Sequence, residues 1–228
     1  MGDTLSDRVL RVRERIGAAA RRAGREASSV TLVAVSKTMP VEVIRQALAA
    51  GVTIFGENRV QEAQGKIAAL TGQGSWHLVG HLQTNKAKLA VQLFDLIHSL
   101  DSLKLAEALN RHAAQAGKSA RCLVEVNLGS EESKSGTTEE GVRPLLEAAS
   151  SLSCLAIEGL MAIPPFLSDP EEIRPYFRRL RTLRDALARE GFRLAELSMG
   201  MTHDFEVAIQ EGATMVRIGT AIFGPRSG

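Results

Sequence analysis

The 228-residue sequence has little of what marks several protein classes. Its two cysteines, Cys122 and Cys154, cannot build a disulfide framework or, by themselves, a metal site, and each sits in an apolar run that suits a small core residue. Aromatic residues are only 4%, and 28 lysines and arginines face 26 acids, so neither the basic face nor the stacking groups of a nucleic-acid binder are there. No apolar run approaches the roughly 18 to 20 residues of a membrane span. Residues 1–17 carry Asp3, Asp7 and Glu14 and no apolar core, which excludes a secretory signal or an acid-poor transit peptide and leaves the cytoplasm as the default. The opening Met1-Gly2-Asp3-Thr4-Leu5-Ser6 fits the short myristoylation pattern but runs straight into a helical segment. The histidines, His77, His81, His98, His112 and His203, lack zinc-ligand spacing, so no metal is expected. What the sequence has is 44% hydrophobic residues, enough for a large core, in a length that allows one barrel-sized domain.

Short β-branched apolar runs alternate along the chain with turn residues and longer segments of helical periodicity, the signature of a parallel sheet. Strands are predicted over 30–36, 53–55, 76–79, 96–99, 121–127, 155–162, 194–198 and 214–218, and helices over 5–24, 41–50, 59–70, 84–93, 102–116, 139–152, 171–190 and 203–210. Pro40 stands just before a helix, and Gly51, Gly117, Gly191 and Gly212 just after helices, where positive φ closes the last turn. The expected fold class is α/β: a (β/α)8 TIM barrel, one domain over 1–228, with an extra N-terminal helix. A doubly wound open sheet competes. It is weakened because the first strand runs into Ser36-Lys37-Thr38-Met39-Pro40 rather than a Gly-x-Gly-x-x-Gly loop.

In a barrel the chemistry gathers at the carboxyl ends of the strands. Two-residue alternation puts Val33, Val35 and Lys37 on one face of the first strand. A lysine there either has its amine desolvated, which lowers its pKa and favours attack on an aldehyde, or merely snorkels to solvent. In the last strand Arg217 faces inward between outward Val216 and Ile218, and a permanent charge pointing into a barrel needs an anion or an acceptor. Gly219 and Thr220 follow it, and Ser198, Met199 and Gly200 end the seventh strand. Backbone amides and hydroxyls at these two ends match the usual phosphate position of barrels. Asn58, after Gly56-Glu57, either places an amide at the mouth or caps a helix. Ser133-Lys134-Ser135-Gly136 is a polar loop read as a solvated turn, and Lys86 and Lys88 as a solvated helix face.

As an ordered set, Ala34-Val35-Ser36-Lys37-Thr38, Phe55-Gly56-Glu57-Asn58, Trp76-His77-Leu78-Val79-Gly80, Leu82-Gln83-Thr84-Asn85-Lys86, Ser133-Lys134-Ser135-Gly136, Gly159-Leu160-Met161-Ala162-Ile163-Pro164, Leu197-Ser198-Met199-Gly200-Met201 and Val216-Arg217-Ile218-Gly219-Thr220-Ala221-Ile222-Phe223-Gly224 resemble the pyridoxal phosphate homeostasis protein (YggS/PROSC) family. The resemblance covers nearly the whole chain. It implies a barrel similar to the amino-terminal domain of alanine racemases, binding pyridoxal 5′-phosphate (PLP) as a Schiff base on Lys37. It implies, too, that Ser198, Gly219 and Thr220, with amides near Met199 and Gly200, hold the phosphate, and that Arg217 faces the pyridine nitrogen. An arginine there protonates the ring poorly and disfavours carbanion chemistry.

Racemase-like enzymes add a second domain that supplies a tyrosine base, whereas this sequence ends at Gly228 and its one tyrosine, Tyr176, falls in a predicted helix. The expectation is therefore a carrier or buffer in intracellular vitamin B6 homeostasis, a monomer without catalytic residues or robust amino-acid turnover, passing PLP to apo-enzymes. His81, Arg59 and the Thr202-His203-Asp204 stretch depart from the family pattern at the rim, where a histidine would make cofactor exchange pH-dependent. Two other readings stay open. A catalytically active racemase-type enzyme needs a second proton-transfer group such as Lys134 or His203, and a cofactor-free aldolase needs a carboxylate such as Glu57 or Glu125 beside the lysine.

Overall fold

The computed structural model describes residues 3–129 and 135–225; the Met1-Gly2 start of the myristoylation pattern, Ser133 and Lys134 of the polar loop, and residues 226–228 lie outside the described residues. Eight strands, β1 (Thr31–Val35), β2 (Ile54–Glu57), β3 (Ser75–Leu78), β4 (Leu96–Leu100), β5 (Ala120–Glu125), β6 (Leu155–Met161), β7 (Glu196–Ser198) and β8 (Met215–Ile218), pair in parallel and in sequence order, with β8 returning to β1 to close the barrel. Around them run α1 (Leu5–Arg22), α2 (Val41–Ala49), α3 (Val60–Ala69), α4 (Ala87–Leu93), α5 (Leu103–Gln115), α6 (Glu139–Ala149), α7 (Pro170–Arg189), α8 (Phe205–Gln210) and α9 (Thr220–Phe223). The alternation in the sequence is thus the alternation in space. The differences are local: the predicted helix over 84–93 opens as a 3-10 turn, Thr84–Lys86, and the four-residue α9 was not expected.

Register divides the strand residues into two faces. Val33 pairs with Arg217, Gly56 with His77, His77 with Leu96, Leu123 with Gly159, and Met161 with Ser198, so all of these side chains point into the barrel. Leu96, Leu123, Met161 and Met215 form an apolar cluster of their own there. One step nearer the carboxyl ends, His98, Glu125, Ser198 and Arg217 make the layer polar. The larger core lies outside the barrel, between strands and helices, and includes the fully buried Phe55, Phe177 and Phe205; each such side chain contributes roughly 1.5 to 3 kcal/mol by burial. Cys122 belongs to this core, whereas Cys154 is half-buried.

The N-terminal helix has a direct bearing on the site. Thr4 and Asp7 cap α1 reciprocally, which satisfies amides at its first turn. The helix packs on α8 and α9, with Arg15 paired to Glu206 at 2.9 Å and Arg8 Nε donating to the Ile222 carbonyl at 2.7 Å. Through Arg8, α1 fixes the position of α9 at the end of β8.

Candidate functional site

Lys37 follows β1 in a tight turn. The Ser36 amide continues the β1 ladder to the Gly56 carbonyl at 2.9 Å, the Met39 amide closes back on the Ser36 carbonyl at 3.0 Å, and Thr38 has φ +66. Because Ala34 pairs with Ile218, Lys37 and the Gly219-Thr220 pair leave neighbouring strands side by side. They line one cavity of about 30 Å³ with Val35, Met39, Phe223 and Gly224. Gly219 lies close to β1 there: a Cβ would stand 3.3 Å from the Val35 carbonyl oxygen.

The end of β7 joins this place through the Arg217 amide, which donates to the Gly200 carbonyl at 2.9 Å. Gly200 has φ +93, and a Cβ on it would meet the Ala208 Cβ at 2.5 Å, so only glycine fits. The Met199 amide donates to the Met215 carbonyl within the sheet. Among the described residues, the amides of Gly200, Gly219 and Thr220 have no acceptor. Asn58 is half-buried behind β2, and its backbone passes so close to Gly80 that a Cβ there would lie 2.4 Å from the Asn58 oxygen.

Arg217 lies beneath, 3% exposed. Its Nη1 donates to the Ser198 carbonyl at 2.8 Å and the Ser198 hydroxyl at 2.6 Å, and its Nη2 to the Ala162 carbonyl at 2.9 Å. The acceptor demanded by an inward arginine is thus supplied by the barrel itself. Burial pulls its pKa down to about 10, against the pull of Glu125 and Asp204, so it stays charged at neutral pH. The Ser198 hydroxyl, fully buried, also meets His98 Nδ1 at 2.9 Å, and His98 Nε2 meets His77 Nδ1 at 3.0 Å. Burial holds both rings neutral, His77 near 4 and His98 well below its ordinary value.

The two candidate carboxylates part company. Glu125 faces inward, and burial, then Asp101, raise its pKa to about 7. Glu57 faces outward, toward α3, where its Oε1 accepts from the Ser36 hydroxyl at 2.6 Å and from Lys66 Nζ at 2.8 Å. Lys66 also donates to the Ser36 carbonyl and to Glu62, both at 2.7 Å. Sequence reasoning missed Lys66 and the two histidines. The signals were there: Lys66 shares the apolar face of α3 with Val60 and Ala63, and His77 alternates with the outward Trp76 and Leu78. At the rim, His81 stands 3.5 Å from Asp101, and exposed His203 meets the Ser168 carbonyl at 3.0 Å and stacks near Phe166. Tyr176 lies on α7, in the outer ring of helices.

Comparison with known proteins places the fold in a family. Residues 11–227 match the family model of the alanine racemase N-terminal domain. A pyridoxal phosphate homeostasis protein of Aquifex aeolicus is 49% identical over 222 residues, 96% of this chain and 97% of the relative. PipY of Synechococcus elongatus, solved without PLP, superposes with a TM-score of 0.88 at 41% identity over 97% of this chain and 100% of its own. The same protein solved with PLP bound gives 0.86 at 40% identity, again over 97% and 100%. An alanine racemase of Clostridium difficile shares the fold alone, with a TM-score of 0.74 at 17% identity over 96% of this chain and 57% of its own. On the family model, the near full-length identity and the closed parallel barrel together, the chain belongs to the pyridoxal phosphate homeostasis protein family, built on the alanine racemase N-terminal fold.

Proposed function

We propose that the chain binds PLP at the mouth of its barrel as a Schiff base on Lys37 and serves as an intracellular carrier or buffer of the cofactor. The observation that carries this reading is the cavity shared by Lys37, Gly219 and Thr220. An amine able to meet an aldehyde stands there beside backbone donors without acceptors, the pair of groups that a phosphorylated aldehyde needs. PLP in the PLP-bound PipY relative supports the same ligand. When bound, PLP supplies an electrophilic aldehyde and an electron-withdrawing ring.

The protein's own part is to hold rather than to transform. Gly219, Thr220 and the Gly200 amide hold the phosphate; Ser198 and the Met199 amide, expected to share that task, are taken up instead by Arg217 and His98 and by the Met215 carbonyl, and shape the floor. Asn58 borders the ring, and Arg217 presents a cation that cannot readily give up its proton. The Arg217 guanidinium is tied to two carbonyls and a hydroxyl, which keeps it from swinging aside. Tyr176, on the outer ring, is not placed to serve as a base at the strand ends. We read the chain as one barrel domain over 1–228, a cytoplasmic monomer that yields PLP to apo-enzymes; among the described residues no helix is long and apolar enough to cross a membrane.

The test is an absorbance spectrum with and without added PLP, followed by borohydride reduction and peptide mapping, with Lys37→Ala alongside. A chromophore trapped on Lys37 and absent from the variant is expected; none with excess PLP would overturn the reading. Efficient racemisation or decarboxylation of amino acids by the loaded protein would overturn the carrier role while leaving the site in place.

A further inference from the structure

The PLP site as read leaves one buried cation without a task. Lys66 is 7% exposed, and its ammonium donates to three acceptors: the Ser36 carbonyl, Glu57 Oε1 and Glu62 Oε1. Both carboxylates reach on to the same turn. Glu57 Oε1 takes the Ser36 hydroxyl at 2.6 Å, and Glu62 Oε1 takes the Thr38 amide at 2.5 Å. Among the described residues, every side-chain hydrogen bond that leaves this cluster therefore ends on residue 36 or residue 38, the two neighbours of Lys37.

The turn needs such a hold. Thr38 is, among the described residues, the one non-glycine residue in the left-handed region, a conformation that a β-branched side chain resists. A buried cluster of one ammonium and two carboxylates is a poor source of stability, because desolvation offsets the attraction; its strength is direction. Glu57 Oε2, buried without a partner among the described residues, adds to that cost. A cluster chosen for stability alone would be apolar here, as the rest of the α3 face is.

We infer that Lys66, with Glu57 and Glu62, is a positioning device that holds the turn bearing Lys37 so that its amine meets the aldehyde of a ligand whose phosphate sits on Gly219 and Thr220. The inference rests on Lys37 being the covalent attachment point. Lys66 acts through the backbone and does not touch the ligand.

The experiment compares two ligands on Lys66→Met, which keeps an unbranched apolar stem of nearly the same length and loses the ammonium. PLP carries an aldehyde; pyridoxamine 5′-phosphate has the same ring and phosphate but an amine in its place and cannot condense with Lys37. The Kd for PLP should rise about tenfold or more, the effect of losing a charge-assisted anchor, while that for pyridoxamine phosphate stays within about twofold. Borohydride trapping on Lys37 should slow in parallel. Equal weakening for both ligands, or no weakening for either, overturns the inference, since a merely structural cluster would not tell them apart.

Glu62→Ala guards against a variant that fails to fold. It frees the Thr38 amide and removes one of the three acceptors of Lys66, both held by a partly exposed carboxylate, and should weaken PLP alone. Adding Thr38→Gly, which adopts the left-handed turn without help, should restore part of the loss. Wild-type PLP affinity in Glu62→Ala, or no restoration by glycine, counts against the device. Equal binding of PLP by wild type and Lys37→Ala would bring down the reading of Lys37 and this inference with it; loss in Lys37→Ala with Lys66→Met unaffected would bring down this inference alone.

Discussion

Glu125 makes the stability of the cofactor-free protein fall as pH rises, and Glu125→Gln should remove that fall. The residue is 7% exposed at the carboxyl end of β5, and its Oε2 has no hydrogen-bond partner among the described residues. Burial, reinforced by Asp101 and opposed by Arg217, moves its pKa from 4.5 in the unfolded chain to about 7 in the native state. Between those values the native protein binds more protons than the unfolded chain, so stability declines with pH; the favourable contribution is whole below 4.5 and lost as pH rises through about 7. At about 1.4 kcal/mol per pH unit the full loss is about 3 kcal/mol, most of it between about pH 5 and pH 8. Glutamine has the same shape and does not titrate. The advantage of Glu125→Gln over wild type should therefore grow by about 2 to 3 kcal/mol across that interval, several degrees in Tm for a chain of this size. Urea unfolding of the cofactor-free proteins, followed by the fluorescence of Trp76, the single and buried tryptophan, measures it. Parallel stabilities of the two proteins from pH 5 to pH 8 would refute the argument.

Three further outcomes follow from the packing. Lys37→Ala, at a half-buried strand end outside the apolar clusters, should unfold cooperatively within about 1 kcal/mol of wild type; loss of cooperativity in urea would show that Lys37 lies in the core. Gly159→Ala should cost about 3 kcal/mol or more, because its Cβ would stand 2.0 Å from the backbone oxygen of Glu196 on the paired strand, and an unchanged urea midpoint would contradict the β6–β7 register. Glu211 is 4% exposed among Arg174, Arg178 and Arg181, and although burial opposes it, bonds from Arg178 and Arg174 hold its pKa below 4.5. Its contribution is present above pH 4.5 and lost as pH falls, so Glu211→Gln should cost about 1 to 2 kcal/mol at neutral pH, with the partly exposed arginines screened, and the difference should shrink in acid unfolding.

Local rules carried the fold and part of the site. Period-two alternation needs only a residue's own neighbours, so the inward aim of Arg217 and the placing of Lys37 at the close of β1 are legible in the amino-acid sequence itself. Glycines after helices are legible for the same reason, and Gly51, Gly117, Gly191 and Gly212 all have positive φ. Contacts made across strands are not. His77 and His98 meet because β3 and β4 pair in one register, and the Ser198 hydroxyl is taken up by Arg217 and His98 inside the barrel because three strand ends converge there.

Lys66 shows the divide most clearly. In the sequence it is a lysine four residues after a glutamate on an amphipathic helix, which ordinarily makes a solvated pair. In the fold, α3 lies over the outward face of β2, whose Glu57 and neighbouring Ser36 supply the acceptors that let an ammonium be buried. The sequence by itself determined the eight strands, the eight longer helical segments though not the short α9, and which way strand residues such as Arg217 face, because these depend on short-range sterics and on the periodicity of apolar residues. Only the tertiary structure decided which buried polar groups become partners, because closing the barrel sets strand register and helix placement, and hydrogen bonds between residues far apart in the chain exist only once those are set.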